Sequence, residues 1–208
     1  MNNQYRYRLA KMCDLDEIAE IHIQEFSDYF LTAFGKELIY KFYKCYLENK
    51  EIFVVVENKE KILGFILGSS DSNSRKNFFK ENFNKISLII LKELLKGNKV
   101  LWGGIWKRIS FIKEAFFIKF FSRSGEKKLP ESKSQRLLSI AIRKEFRGEN
   151  IAYNMEKFFC EALIKNNIKK VGLSVKSENE RAIHFYKKCG YEIEKKEEKS
   201  IYFIKNLI

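Results

Sequence analysis

Arg147-Gly148-Glu149-Asn150-Ile151-Ala152 is the stretch on which the reading of this chain turns. Before it runs a strand-like apolar segment, 137–142. After it, residues 151–165 carry Ile151, Met155, Phe158, Ala162 and Leu163 at helical spacing. A strand that turns directly into a helix leaves a row of unpaired backbone N–H groups, and the helix dipole adds partial positive charge there. With one arginine and small or turn-tolerant residues at the corner, such a turn is suited to a diphosphate.

Working outward, residues 170–175 read as a further strand. Ser177-Glu178-Asn179-Glu180 reads as a capping box opening another helix, which ends at Cys189 with Gly190 as its left-handed residue. Segments 191–193 and 200–204 complete a sheet. Upstream, 5–9 alternates as a first strand. Asp14 and Glu17 mark a helix start, after which Leu15, Ile18, His22 and Phe26 share one face. A second helix spans 36–47, with Leu38, Phe42 and Cys45 facing inward. Strands 52–56 and 62–67 flank the hairpin turn Asn58-Lys59-Glu60.

The segment 71–134 interrupts this pattern. Phe79, Phe83, Ile86, Ile90 and Leu94 keep one helical stripe, stopped by Gly97-Asn98. A second helix is expected over 102–121, and 122–134, holding the only proline, Pro130, reads as the exit linker. The expectation is a single domain over 1–208. Its fold is α/β (α+β): a mixed, splayed central sheet flanked by helices, with a basic two-helix insertion over 71–134 between the third and fourth strands.

With 45% hydrophobic and 15% aromatic residues, the chain can bury a substantial core. It begins without an apolar leader, and no run approaches the ~18 residues a membrane span needs. A soluble, cytoplasmic protein is expected. Cys13, Cys45, Cys160 and Cys189 form no CxxC pair and read as reduced, packed thiols. With only His22 and His184 beside them, no metal site is expected. The net charge of +13 is uneven: residues 75–128 hold 14 Lys plus Arg against 4 Glu. Such a field favours an anionic partner, although a solvated helical face gives the same composition.

The two motifs together resemble the GCN5-related N-acetyltransferase (GNAT) family. Its central motif, Gln/Arg-x-x-Gly-x-Gly/Ala, is matched by Arg147 to Ala152, with Asn150 in place of the usual glycine. Its later motif is matched by Asn179, Ala182, Phe185, Tyr186, Gly190 and Tyr191. The departure at Asn150 is mild, because Asn tolerates positive φ better than other residues with side chains. Its side chain can also compete for the backbone donors of the turn.

The resemblance implies acetyl-coenzyme A as co-substrate and an acetyl transfer to a primary amine. Ile140, Ala141 and Ile142 would pair with the pantetheine arm as an added strand. N–H groups of Gly148, Glu149, Asn150, Ile151, Ala152 and Tyr153, with Arg147, would hold the diphosphate, and Asn179 would steady the arm. Tyr186 stands where the family places the tyrosine that protonates the leaving thiolate; a core or rim tyrosine is the competing reading. Ser174 occupies the position at which members that acetylate protein N-termini often carry a glutamate, which counts against that subclass. His22 and Glu25 are candidate substrate contacts or bases, His22 lying on an apolar face where a packed histidine is expected.

The stretch from Glu20 to Thr32 is similar to a bacterial subgroup linked to amino-sugar acetylation in surface-polysaccharide pathways. A nucleotide- or lipid-linked amino sugar is anionic and agrees with the basic insertion. Another small amine or a peptide amine is a second acceptor class. A third reading is a non-catalytic module resting on an anionic membrane through Trp102, Trp106, Phe116, Phe117, Phe120 and Phe121. Those aromatics equally suit packing on the core or on a second copy of the chain in a homodimer. Beyond charge, no nucleic-acid motif is present.

Overall fold

The structure is a computed structural model and describes residues 4–27, 29, 31–70, 73–95 and 134–207. The expected helix over 102–121 and the linker after it lie outside the described residues.

The described residues form thirteen longer elements. They are β1 (Arg6–Leu9), α1 (Leu15–Glu25), α2 (Lys36–Glu48), β2 (Phe53–Glu57), β3 (Ile62–Ser69), α3 (Asn73–Glu81), α4 (Phe83–Leu95) and β4 (Ser134–Ile142). Then follow α5 (Ile151–Lys165), β5 (Lys170–Lys176), α6 (Glu180–Lys188), β6 (Glu192–Lys196) and β7 (Ser200–Asn206). The strands form one seven-stranded sheet in the order β1-β2-β3-β4-β5-β7-β6. Every neighbouring pair is antiparallel except β4 and β5.

The apolar run in β2 is continuous because both faces of the sheet are covered. Val54, Val56, Leu63 and Ile66 meet Met155, Phe159 and Leu163 of α5 on one side. Phe53, Val55, Phe65 and Leu67 meet Ile18, Ile21 and Tyr43 of α1 and α2 on the other. A period of two thus divides each strand between two cores. Gly64 sits where β3 lies tight against β4: an added Cβ would stand 2.5 Å from the Ala141 carbonyl oxygen. The bare backbone there lets the two strands close up.

Local chemistry departs from the sequence reading in three places. Asp14 does not cap α1 with its side chain; its carboxylate accepts Arg8 Nη1 at 2.6 Å and Lys11 N at 2.7 Å. The capping box at 177–180 is not made. Asn179 is the N-cap of α6, its Oδ1 accepting Ala182 N at 3.1 Å, while Ser177 Oγ donates to Glu198 O at 3.1 Å. The apolar stripe from Phe79 onward is broken at Asn82, whose Nδ2 donates to Phe78 O at 2.9 Å. Phe78 rather than Phe79 is then fully buried, against Leu38 and Ile86. Of the cysteines, Cys160 and Cys189 are buried and Cys45 partly so, whereas Cys13 is exposed; all four are free thiols.

A buried carboxylate anchors the point where β3 leaves the sheet. Glu51 accepts Ser70 N at 2.9 Å, Ser69 Oγ at 3.2 Å, Ser70 Oγ at 3.1 Å and Gln135 Nε2 at 2.9 Å. It joins the start of β2, the end of β3 and the start of β4. Removing one acceptor that serves several buried donors costs their desolvation. Glu51→Ala should lower unfolding stability by about 3 kcal/mol in urea titration; a loss under about 1 kcal/mol would show that these bonds do not hold the junction.

Candidate active site

The site begins as a fault in the sheet. β4 and β5 pair only at Ser134–Lys170, Gln135–Val171 and Arg136–Gly172. Beyond Arg136, β4 stays bonded to β3 but no longer to β5. The register between β3 and β4 also slips there: Leu67 faces Ser139 while Gly68 faces Leu137, so Leu138 is an extra residue in β4. A bulge of this kind bends its strand and increases its twist. It falls where the pairing with β5 stops and supplies a physical reason for the parting.

The parting opens a groove of about 460 Å³. Ile140, Ala141 and Ile142 of β4 form one wall, and Asn179, Ala182, Phe185 and Tyr186 form the other. The corner leading into α5 closes one end with Arg147, Gly148, Asn150, Ile151, Ala152 and Tyr153. The corner's shape follows from its residues. Gly148 has φ +96° and an open Cβ position, and Asn150 has φ 58°, ψ 10° in the left-handed region. Asn150 makes no side-chain cap bond to α5. Its only capping contribution is its carbonyl, which accepts Asn154 N at 2.9 Å. No side-chain cap from Asn150 closes the first turn of α5, and the leading amides of a helix have no partner within the helix itself. Glu149 turns away from the groove, accepting a hydrogen bond from Tyr5 Oη.

Charge at the groove is mostly positive. Arg147, Arg181 and Lys188 line it, with Glu25 the single acidic side chain. Glu25 is nearly buried. One of its oxygens pairs with the Arg147 guanidinium, and the other accepts Lys144 N at 3.0 Å. Arg147 Nε also donates to Ile142 O at 3.3 Å. Burial and the neighbouring Arg181 charge lower the proton affinity of Arg147, which an arginine offsets with ease. Next along α1, Gln24 Oε1 accepts Arg143 Nη1 at 3.0 Å. The end of α1 is thus clasped at two points to the segment leading into the corner.

Tyr186 is 6% exposed and lines the groove, its ring packed on Phe185, Tyr191 and Phe203. Burial raises its phenol well above the ordinary value, and Cys189, Glu156 and Tyr29 add to the rise. It is a neutral hydroxyl at neutral pH. Asn179 lines the groove while its Oδ1 accepts Ala182 N in capping α6.

His22 does not line the groove. It is buried beneath α2, its Nδ1 sharing a 2.7 Å hydrogen bond with Tyr43 Oη, which lies 3.4 Å from Ser139 Oγ. Nε2 is buried without a partner among the described residues. Burial pushes the imidazole down to about 4. The groove lining also holds Phe26, named in the sequence only for its helix face, and Phe146, Arg181 and Lys188, which sequence reasoning did not name. The signal for the last two was available: they stand with Phe185 at i, i+4 and i+7 on one face of α6.

A sequence model of the acetyltransferase (GNAT) family matches residues 120–191, the span from before β4 to the end of α6. Solved structures with the same fold align over nearly the whole chain. An N-acetyltransferase from Staphylococcus aureus Mu50 has TM-score 0.59 and 13% identity, covering 98% of this chain and 99% of that one. The structure of yncA, a putative acetyltransferase from Salmonella typhimurium with its cofactor acetyl-CoA, has TM-score 0.59 and 9% identity over 99% and 95%. The paia N-acetyltransferase from Thermoplasma acidophilum, in complex with coenzyme A, has TM-score 0.57 and 12% identity over 97% and 98%. No curated protein matches the sequence. The fold is that of the GNAT proteins. The segment bearing the parted strands, the corner and α6 is the one that carries the acetyltransferase family's match.

Among the described residues, no group of His, Cys, Asp or Glu side chains is placed to hold a metal ion, and no helix is long and apolar enough to cross a membrane.

His22 gives the site's surroundings a measurable pH signature. Its folded pKa of about 4 lies below the ~6.5 of an unfolded histidine. As pH falls through that window, the unfolded chain takes up a proton that the folded chain refuses, so stability is lost toward acid. The wild type should lose about 1.4 kcal/mol per pH unit more than His22→Leu between about pH 6.5 and 4. Parallel slopes for the two proteins would show that His22 titrates normally.

Proposed function

We propose that this chain is an N-acetyltransferase that moves the acetyl group of acetyl-coenzyme A to the primary amine of a small molecule. The observation that carries the proposal is the groove's construction. A strand edge parted from its neighbour leads to a helix N-terminus without a side-chain cap from Asn150, beside an arginine. A pantetheine arm carries amides that can pair with such an edge, and a diphosphate suits such a corner.

In this reading the arm lies along Ile140, Ala141 and Ile142, and the N–H groups of Gly148 through Tyr153 hold the diphosphate. Glu25 keeps Arg147 and the Lys144 turn in place, a positioning task rather than a basic one, since both carboxylate oxygens are already engaged. The amine attacks the thioester carbonyl, a C–N bond forms and the C–S bond breaks, and the amine's surplus proton passes to solvent, from which the Tyr186 phenolate is reprotonated. Aligning amine and thioester supplies much of the acceleration. Tyr186 gives its proton to the departing sulfur. Because burial makes it a weaker acid, that transfer accompanies C–S cleavage as charge builds on sulfur rather than preceding it.

For the acceptor we propose an anionic amino sugar, linked to a nucleotide or lipid diphosphate. Two observations support it. The segment 75–128 carries 14 cationic against 4 acidic residues. Tyr29 and Lys176 stand together at the Tyr186 side of the groove, the ammonium 5.7 Å from the ring centroid. We read 71–134 as an insertion in one domain that serves this capture.

Tyr186→Phe should lower kcat about a hundredfold in a thiol-release assay while leaving coenzyme A affinity within about twofold. Unchanged turnover would remove the general-acid role. Arg147→Ala should weaken coenzyme A about tenfold by calorimetry; an unchanged Kd would take Arg147 out of the donor site.

A further inference from the structure

The groove holds more positive charge than a diphosphate at the corner accounts for. Arg147 stands at the corner itself. Arg181 and Lys188 belong to the opposite wall, where α6 presents Arg181, Phe185 and Lys188 on one face. Lys187 shares the last turn of α6 yet does not line the groove, so the basic character of the lining is not simply that of a lysine-rich helix end.

Lys188 is also aimed. Its Nζ lies 5.8 Å from the ring centroid of Tyr153, a residue that lines the groove one turn into α5. A lysine resting on an aromatic face loses part of its freedom before any ligand arrives. Arg181 lies near enough to Arg147 for their charges to repel. Like charges gathered in one concave site favour an anion between them.

Resting on the coenzyme A reading above, we propose that Arg181 and Lys188 form a second anionic subsite that takes the 3′-phosphate on the ribose of coenzyme A. The corner amides and Arg147 then hold the diphosphate, and the two α6 cations hold the third phosphate. Tyr153 keeps Lys188 pointed at it. This subsite would select coenzyme A over donors that lack the 3′-phosphate, while leaving the acetyl-transfer chemistry at Tyr186 untouched.

The test is calorimetric titration of the full chain with coenzyme A and with 3′-dephospho-coenzyme A. Wild type should bind coenzyme A at least about tenfold more tightly, the gain from one charge-assisted phosphate contact. Lys188→Met should bring the ratio to within about twofold while leaving dephospho-coenzyme A affinity near wild type, and Arg181→Met should lower it in the same direction. Lys187→Met should keep the wild-type ratio. Equal wild-type affinity for the two ligands, or a ratio unmoved by Lys188→Met, would overturn this subsite alone. Binding of neither ligand would overturn the coenzyme A reading and the subsite with it.

Discussion

Everything at the site depends on the separation of β4 from β5. The two strands share three register pairs and then diverge, with β4 still held along its other edge by β3. An unpaired backbone edge inside a sheet is costly unless something else satisfies it. Here the extra residue at Leu138 turns β4, Gly64 lets β3 follow it closely, and α5 covers the resulting core with Met155, Phe159 and Leu163. The groove is thus built by the same packing that stabilises the domain, and it stays open because its walls belong to separate supports.

The corner is held as firmly as the walls. Gly148 and Asn150 both take positive φ, which lets the chain reverse from β4 into α5 within a few residues. Asn150 makes no side-chain capping bond with the helix it begins. That side chain does not take up the amides it was expected to compete for. Glu25 then ties α1 to the corner through Arg147 and the Lys144 amide. That clasp joins the helix before the Phe26–Tyr29 segment to the proposed donor site.

Much of this was legible in the sequence because it rests on local rules. The boundaries of α5 and the left-handed Gly190 follow from periodicity and turn chemistry. What was not legible is tertiary. The bulge at Leu138 lies in a strand with no glycine or proline to mark it. The Glu25–Arg147 pair joins residues far apart in sequence, so Glu25 reads as a free carboxylate until the fold is known. His22 lies on an apolar helix face either way; only Tyr43 shows how its Nδ1 is satisfied. Asn179 displaced Ser177 as the cap because Ser177 is drawn to the carbonyls at Glu197 and Glu198. The helix of the insertion is interrupted at Asn82, where a side-chain bond to the Phe78 carbonyl accompanies the break between α3 and α4.

The central claim is that free main-chain amides at the start of α5 receive a diphosphate. The most direct measurement is a titration of isotopically labelled protein with coenzyme A, following backbone amide resonances. The account predicts that the resonances of residues 148–153 move furthest and saturate together, with those of 140–142 following. Saturating coenzyme A while the resonances of 148–153 stay in place would contradict it.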